Sequence, residues 1–274
     1  MRPAVEIESP PWVARPYGLF SVVDFGDEAG PARWVNGATF DATSCSTAGL
    51  YAAGDCADDE AQDVGLPRVP DTACGFLAEP VSAFTVYGGR NGTPGFDNAR
   101  TRAVADLIRK EQAAVEHAMW ITGITNYAYP TQATLVAGTF TDVRLAVASL
   151  EAYAAAQFGG VGVIHIGTYW GSVLAKDLVR QGQQLVTPLG TPVVVGAGYT
   201  TDDEASSPVY ITPQLVGRRN PPSILQVFDT GQNNLETYAE RDYLLGYEPC
   251  GVGYVELPGA AEAPAYIEIG ENNG

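Results

Sequence analysis

Residues 159 to 171, GGVGVIHIGTYWG, hold the most chemically suggestive spacing in the chain: clustered glycines, a histidine inside a β-branched run, and helix-forming residues behind it. Such a pattern could cradle a phosphate. A dinucleotide fingerprint, however, needs G-x-G-x-x-G after a strand and at the start of a helix. Here Gly160 and Gly162 follow a helical stretch and precede a strand, and position 165 is His. No G-x-x-x-x-G-K-[ST] occurs, and Lys176 falls inside a helical pattern. The order of elements is reversed relative to what phosphate binding requires.

The remaining chemical readings are tested the same way. His165 could serve as a metal ligand or general base, but His117 is the only other histidine in the chain. A zinc site would have to recruit scattered carboxylates or cysteines. The cysteines, Cys45, Cys56, Cys74 and Cys250, form no C-x-x-C pair, which argues against a zinc knuckle or a thioredoxin-type site; free thiols or a disulfide both remain open for them. A serine hydrolase wants G-x-S-x-G at a strand-to-helix elbow. The stretch WGSV at 170 to 173 lacks the second glycine, and Ser172 reads as a small helix-packing residue. The acidic runs Asp58, Asp59, Glu60 and Asp202, Asp203, Glu204 miss the D-x-[DN]-x-[DN]-G calcium pattern and read as solvated loops. His165 is expected to be a core histidine hydrogen-bonded to backbone. No catalytic, cofactor-binding or metal residue is assigned, and an α/β or metal-dependent enzyme using His165 is kept as the least favoured alternative.

The elements that position these residues are read from periodicity and caps. Residues 1 to 18 carry four prolines and read as an extended arm. From Leu19 to about Tyr87 the chain reads as β and loop: LFSVVDFG and RWVNGATFDA as a long hairpin, an irregular acidic stretch, and AFTVYGG at 83 to 89 as a strand. A helix is expected over 97 to 120, capped by Asp97, with Val104, Leu107, Ile108, Val115, Ala118 and Met119 as its apolar stripe. At ~1.5 Å per residue it is roughly 35 Å long. Residues 121 to 140 read as a loop. A second helix over 141 to 158 is capped by Thr141 or Asp142 and stopped by Gly159. VGVIHIG is then a buried strand, Thr168 caps a third helix reaching to Gly182, and QLVTPLG, TPVVVGAGY, VYITPQLVG, ILQVFDTG, ETYAERDYLLGYEP and GVGYVEL supply strands to the end.

Composition narrows the function class. The chain has 274 residues, 46% hydrophobic and 17% charged, with 15 basic against 32 acidic residues and a net charge of -17. Tight nucleic-acid binding needs Lys/Arg patches, which the scattered basic residues do not supply. No apolar run of about 18 residues is present, and the acidic, proline-rich start MRPAVEIESPPWVARPYG is not expected to be a signal peptide, so synthesis in the cytoplasm is expected. A charged fraction this low on a large chain suggests a surface covered by neighbours.

The order of these elements resembles that of tailed-phage major capsid proteins of the Hong Kong 97-type fold, which encapsulin shells share. The residues carrying the resemblance lie mainly between Asp97 and Tyr199: a long helix ending at EHAMW, the passage LAVASLEAYAAAQFGGVGVIHIG, and most specifically QQLVTPLGTPVVVGAGY, similar to the "LG.PVVV" strand pair of many phage capsid proteins. It covers about 60% of the chain, the N-terminal third matching in style only.

The resemblance implies an α+β fold with an N-terminal arm at 1–18, an extended β-hairpin loop region at 19–96, a spine helix and part of a peripheral domain at 97–159, an axial domain at 160–215, and peripheral-domain strands with a C-terminal tail at 216–274. It implies a self-assembling subunit that forms hexamers and pentamers of an icosahedral virion capsid around double-stranded DNA, held without tight or sequence-specific binding and assembled in the host cytoplasm. Separate scaffolding, portal and cement proteins are possible partners; no membrane and no cofactor is implied. An encapsulin-type nanocompartment shell, or a decoration or tail protein, is the alternative. Some relatives cross-link a lysine of the extended loop to a neighbour's asparagine, but residues 1 to 109 contain no lysine. Others carry an N-terminal scaffolding segment of about a hundred residues, whereas this chain starts at the arm, so scaffolding is expected to be separate or unnecessary.

Overall fold

The computed structural model describes residues 12–13, 15–26, 34, 36–40, 76–90, 98–125, 127–200, 206–231, 233–248 and 251–259. A single 3-10 turn, Leu19–Ser21, precedes strands β1 (Asp24–Phe25), β2 (Ala38–Phe40), β3 (Phe76–Ala78) and β4 (Val81–Arg90). Helix α1 (Ala99–Trp120), a short α2 (Tyr129–Gln132), β5 (Ala133–Thr139), α3 (Val143–Gln157), β6 (Val163–Gly167) and α4 (Thr168–Leu174) follow. After the 3-10 turn Ala175–Asp177 come β7 (Val179–Gln181), β8 (Gln184–Val186), β9 (Pro192–Gly196), β10 (Ser206–Thr212), β11 (Leu215–Arg219), β12 (Ser223–Asp229), β13 (Asn234–Tyr247) and β14 (Val252–Pro258). The cysteines, both acidic runs, Asp97 and the tail from residue 260 lie outside the described residues.

Two sheets result. The first is built on the long β13, which pairs antiparallel with β4 on one side and with β12 and β11 end to end on the other, β1 adding parallel to β11. Helix α1 covers one face of it through Ala99, Ala103, Leu107, Val115 and Met119, which with the buried Glu111 recur every four residues along one side of the helix. The buried pair Glu111–Arg241, at 2.9 and 3.1 Å, pins the middle of that helix to β13.

The second sheet runs β5-β14-β10-β6-β9-β8-β7. Its central strand β6 is buried at all five positions because both faces are covered. Ile164 and Ile166 point into a core made with α3 and α4, together with Val193, Val209, Ile211, Val255 and Leu257. Val163, Val194, Tyr210 and Val252 face the other way, into the core shared with α1 and the first sheet. Strands β2 and β3 form a separate two-stranded pair.

Several expectations change. Residues 121–140 are not a plain loop but hold α2 and β5; β5 is an edge strand whose mostly exposed residues, with Gly138, show no alternation to read. The helix expected to run to Gly182 ends at Leu174, and Val179–Gln181 is a strand. Gly182, at φ +60°, makes the β7–β8 turn. A left-handed glycine serves helix stops and hairpin turns alike, so the sequence did not separate them. Helix α1 is capped by Asn98, with no side-chain bond, and Ile108 is 46% exposed rather than in the stripe. LFSVVDFG is a turn and a two-residue strand, and RWVNGATFDA contributes only β2.

The caps of α3 are as expected. The Arg144 N–H donates to the Asp142 carboxylate at 2.9 Å, and Gly159 ends the helix at φ +62°. No atom lies within 4 Å of where a Cβ on Gly159 would stand, so Gly159→Ala adds only left-handed strain. It should cost about 1 kcal/mol, seen as a lowered Tm, and Gly159→Asn should cost less.

Candidate functional site

Of the residues singled out for chemistry, His165 lies at the junction of the two sheets. It sits mid-β6, wholly buried. Thr212, on the neighbouring strand β10 two residues beyond His165's register partner Tyr210, gives its one hydroxyl proton to the Pro213 carbonyl at 2.9 Å. It can therefore only accept at 3.0 Å from His165 Nε2. Nδ1 is then the acceptor, and takes its proton from the Tyr199 hydroxyl at 2.9 Å. Tyr129 OH lies 3.4 Å from Tyr199 OH and its ring sits 4.3 Å from the imidazole. Desolvation drives the His165 pKa down to about 3, so the ring is neutral. The expected backbone partners are thus side chains instead, because the pleat aims the ring across the sheet at β10 and the loop after β9. Both ring nitrogens are used, and neither reaches solvent.

The other candidates are not gathered with it. Gly162 packs against Thr212 and Ile211 with no room for a Cβ, so its role is close approach of chains. Ser172 does not pack the helix; it is exposed and its hydroxyl donates back to the Thr168 carbonyl at 2.8 Å. Thr168 is the first residue of α4 rather than its cap, its hydroxyl donating to Gly196 O at 3.1 Å and accepting from Arg15 at 2.9 Å. Lys176 lies in the 3-10 turn after α4. Among the described residues no group of three or more His, Cys, Asp or Glu is placed to hold a metal, and no helix is long and apolar enough to cross a membrane.

Glu116 is the residue that sequence reading passed over. It sits on α1 with no exposure, on the side turned away from the first sheet. One carboxylate oxygen accepts from Leu19 N at 2.9 Å and the other from Gly198 N at 2.9 Å. One side chain therefore ties the long helix to the 3-10 turn at Leu19 and to the loop after β9. Burial raises its pKa, against which the backbone donors and the charge of Arg15 pull downward. The approach is close: a Cβ on Gly198 would collide with the Ala113 carbonyl, and one on Gly18 with Gln112. The segment from Tyr17 to Ser21 is held further by Val195 N donating to Tyr17 O at 2.9 Å, Gln184 donating to Ser21 O at 2.8 Å, and Arg180 over the Tyr17 ring. Trp120, stacked on Tyr199 at 4.4 Å, closes the junction. The signal in the sequence was an acid inside the apolar stretch AAVEHAMW.

This arrangement fixes parts of the fold relative to one another. What stays open is apolar surface elsewhere: Phe84 and Val86 on β4, and Leu225, Val227 and Phe228 on β12, are between 46% and 67% exposed.

No sequence family and no curated protein matches the chain. Solved structures do. The capsid of a native GTA particle aligns over 94% of this chain and 95% of its own at 9% identity and a TM-score of 0.55. The Gordonia phage Cozz structure aligns over 94% and 91% at 13% identity and 0.54. The Mycobacterium phage Che8 structure aligns over 93% and 96% at 12% identity and 0.52. The likeness is one of fold and covers more than nine-tenths of the chain: this protein is built on the α+β architecture of the Hong Kong 97-type capsid fold.

Proposed function

We propose that the chain is the major capsid protein of a tailed phage, a structural subunit that assembles into hexamers and pentamers of an icosahedral head around double-stranded DNA. The single observation that carries this reading is coverage: capsid chains align with nearly the whole of this one and nearly the whole of themselves. The role is one of packing rather than catalysis, and the saturated hydrogen bonding of His165 supports that.

In this reading the arm is 1–18, the extended loop region 19–96, the spine helix and its surroundings 97–159, the axial domain 160–215, and the late peripheral strands 216–274. Strands β6 to β10 of the second sheet are the body of the axial domain, with β5 and β14 from the flanking segments added along its edge; the first sheet and α1 are peripheral. Exposed Phe84, Val86, Leu225 and Val227 suit obligate interfaces, which bury large apolar areas. The net charge of -17 keeps packaged DNA from adhering to the wall. Portal, scaffolding and cement proteins are possible partners in this reading, with the virion as the site of action and assembly in the host cytoplasm.

Negative-stain microscopy of the purified protein, alone and with the products of adjacent genes, tests the reading. Closed shells or capsomer rings are expected. Monomers under every condition would overturn it.

A further inference from the structure

We propose that β12 is a self-pairing edge: two copies of the chain join β12 to β12, antiparallel, across a twofold axis centred on Gln226, and so merge two five-stranded sheets into one. The shell reading says only where such a contact would be used; the pairing itself stands on the strand.

Strand β12 pairs with β13 along one side, from Ser223 opposite Glu240 to Asp229 opposite Asn234. Among the described residues no strand pairs with its other side. A row of backbone donors and acceptors is therefore open to another chain. Both of its faces are open as well: Leu225 is 59% exposed and Val227 46% on one, Phe228 46% on the other. Natural edges are blunted by lysine, internal proline or a bulge. Here the two prolines, Pro221 and Pro222, precede the strand, no lysine lies within it, and its register with β13 is unbroken.

The sequence SILQVFD is what selects a second copy as the occupant. In an antiparallel pair centred on Gln226, Leu225 faces Val227 of the second copy and Ile224 faces its Phe228, each pair occurring twice. Ser223 meets Asp229 at both ends. A slip by one residue would send every side chain to the wrong face. Leu225 and Val227 share a face with Tyr238, Phe84 and Val86, Leu225, Tyr238 and Val86 forming one row across β12, β13 and β4, so pairing brings the two copies' apolar rows together.

Charge favours the same occupant. Copies of a chain of net -17 repel, yet β12 has no charged residue between Ser223 and Asp229. On that face Asp229 stands at the end of the strand, opposite Ser223 of the second copy and two strand spacings, about 10 Å, from that copy's Glu240; the other carboxylates, Glu236 and Glu240, sit one strand inward on β13. Across the joint, three strand spacings separate them from their counterparts, about 14 Å, beyond the Debye length of about 8 Å at physiological salt. The contact is isologous, as a twofold requires.

The test is disulfide mapping in the full chain. Directly opposed residues of an antiparallel pair have Cα atoms ~4.5 to 5.5 Å apart, within disulfide reach. Gln226→Cys, under mild oxidation, is expected to give a covalent dimer whose cross-linked peptide joins residue 226 to residue 226 by mass spectrometry, which separates it from bonds to the native cysteines. Leu225→Cys, offset from its own copy, should give roughly tenfold less. Leu225→Lys with Val227→Lys, both at exposed positions, should leave Tm nearly unchanged and abolish the cross-link when added to Gln226→Cys. Failure of residue 226 to cross-link to itself, or a cross-link that survives the two lysines, overturns the inference. Particles that form without the cross-link leave the shell reading standing; a cross-link in a chain that never forms particles does the reverse.

Discussion

Glu116→Ala should lower stability by about 3 kcal/mol, since two buried N–H groups, those of Leu19 and Gly198, lose their acceptor at ~1 to 3 kcal/mol each. For a domain this large the loss is roughly 6 to 12 °C in Tm. Glu116→Gln keeps one acceptor oxygen and should lose about half as much. The pH dependence carries a sign of its own. Burial raises the folded pKa of Glu116 above its ordinary 4.5. A raised pKa means the folded state holds the proton more tightly, so this group's contribution is complete below pH 4.5 and declines as pH rises through the folded value. The stability of the wild type relative to Glu116→Gln should therefore fall as pH is raised above 4.5, the other carboxylates cancelling in the comparison. Urea unfolding of both proteins at a series of pH values reads this directly; a difference that does not change with pH would show that Glu116 is not held as a desolvated acceptor.

The second large effect is acid loss through His165. Its pKa is about 3 against an ordinary 6.5. In that window the unfolded chain binds a proton that the folded chain refuses, so stability is complete above pH 6.5 and is lost as pH falls toward 3. At about 1.4 kcal/mol per unit, the protein should lose roughly 2 kcal/mol between pH 7 and pH 5 from this group alone. His165→Asn starts lower, because Tyr199 and Thr212 lose a partner, but lacks this slope, and the two curves should converge on acidification. The imidazole resonance of His165 should not titrate between pH 7 and 5. A titration near the ordinary value would mean that the ring reaches water and would reopen the enzymatic alternative.

Both effects lie at the same junction, and that explains how far the sequence could be read. Helices α1 and α3, strand β6 and the strands from β8 onward follow from local period and caps: Leu107 with Val115, Asp142 with Gly159, and the run VIHIG each carry their own signal. What joins them does not. Glu116 meets Leu19 and Gly198 across separations of 97 and 82 residues, and no spacing in the chain announces that. His165 could be recognised as buried, yet its partners, Tyr199 and Thr212, come from a loop and a strand that only the sheet order brings together. The errors were of the same kind. Residues 133–139 form a strand because β14 offers them an edge, and residues 179–181 turn from helix to strand because Gly182 lets them fold back onto β8. The fold itself was legible through QLVTPLGTPVVVGAGY, where two strands and a tight turn are written nearly residue by residue: β8, the turn closed by Thr187 and Gly190, and β9.

A junction that fixes the segment around Leu19, a long helix and a second sheet with buried hydrogen bonds is what the proposed shell role requires, since a subunit's outer surfaces must meet neighbours at reproducible angles. Image reconstruction of the particles formed by the expressed protein tests that claim most directly. The expected result is a closed icosahedral shell whose repeating unit accommodates this fold, with the 22-residue helix α1 visible in each copy. A protein that stays monomeric at every concentration and with every neighbouring gene product would contradict it.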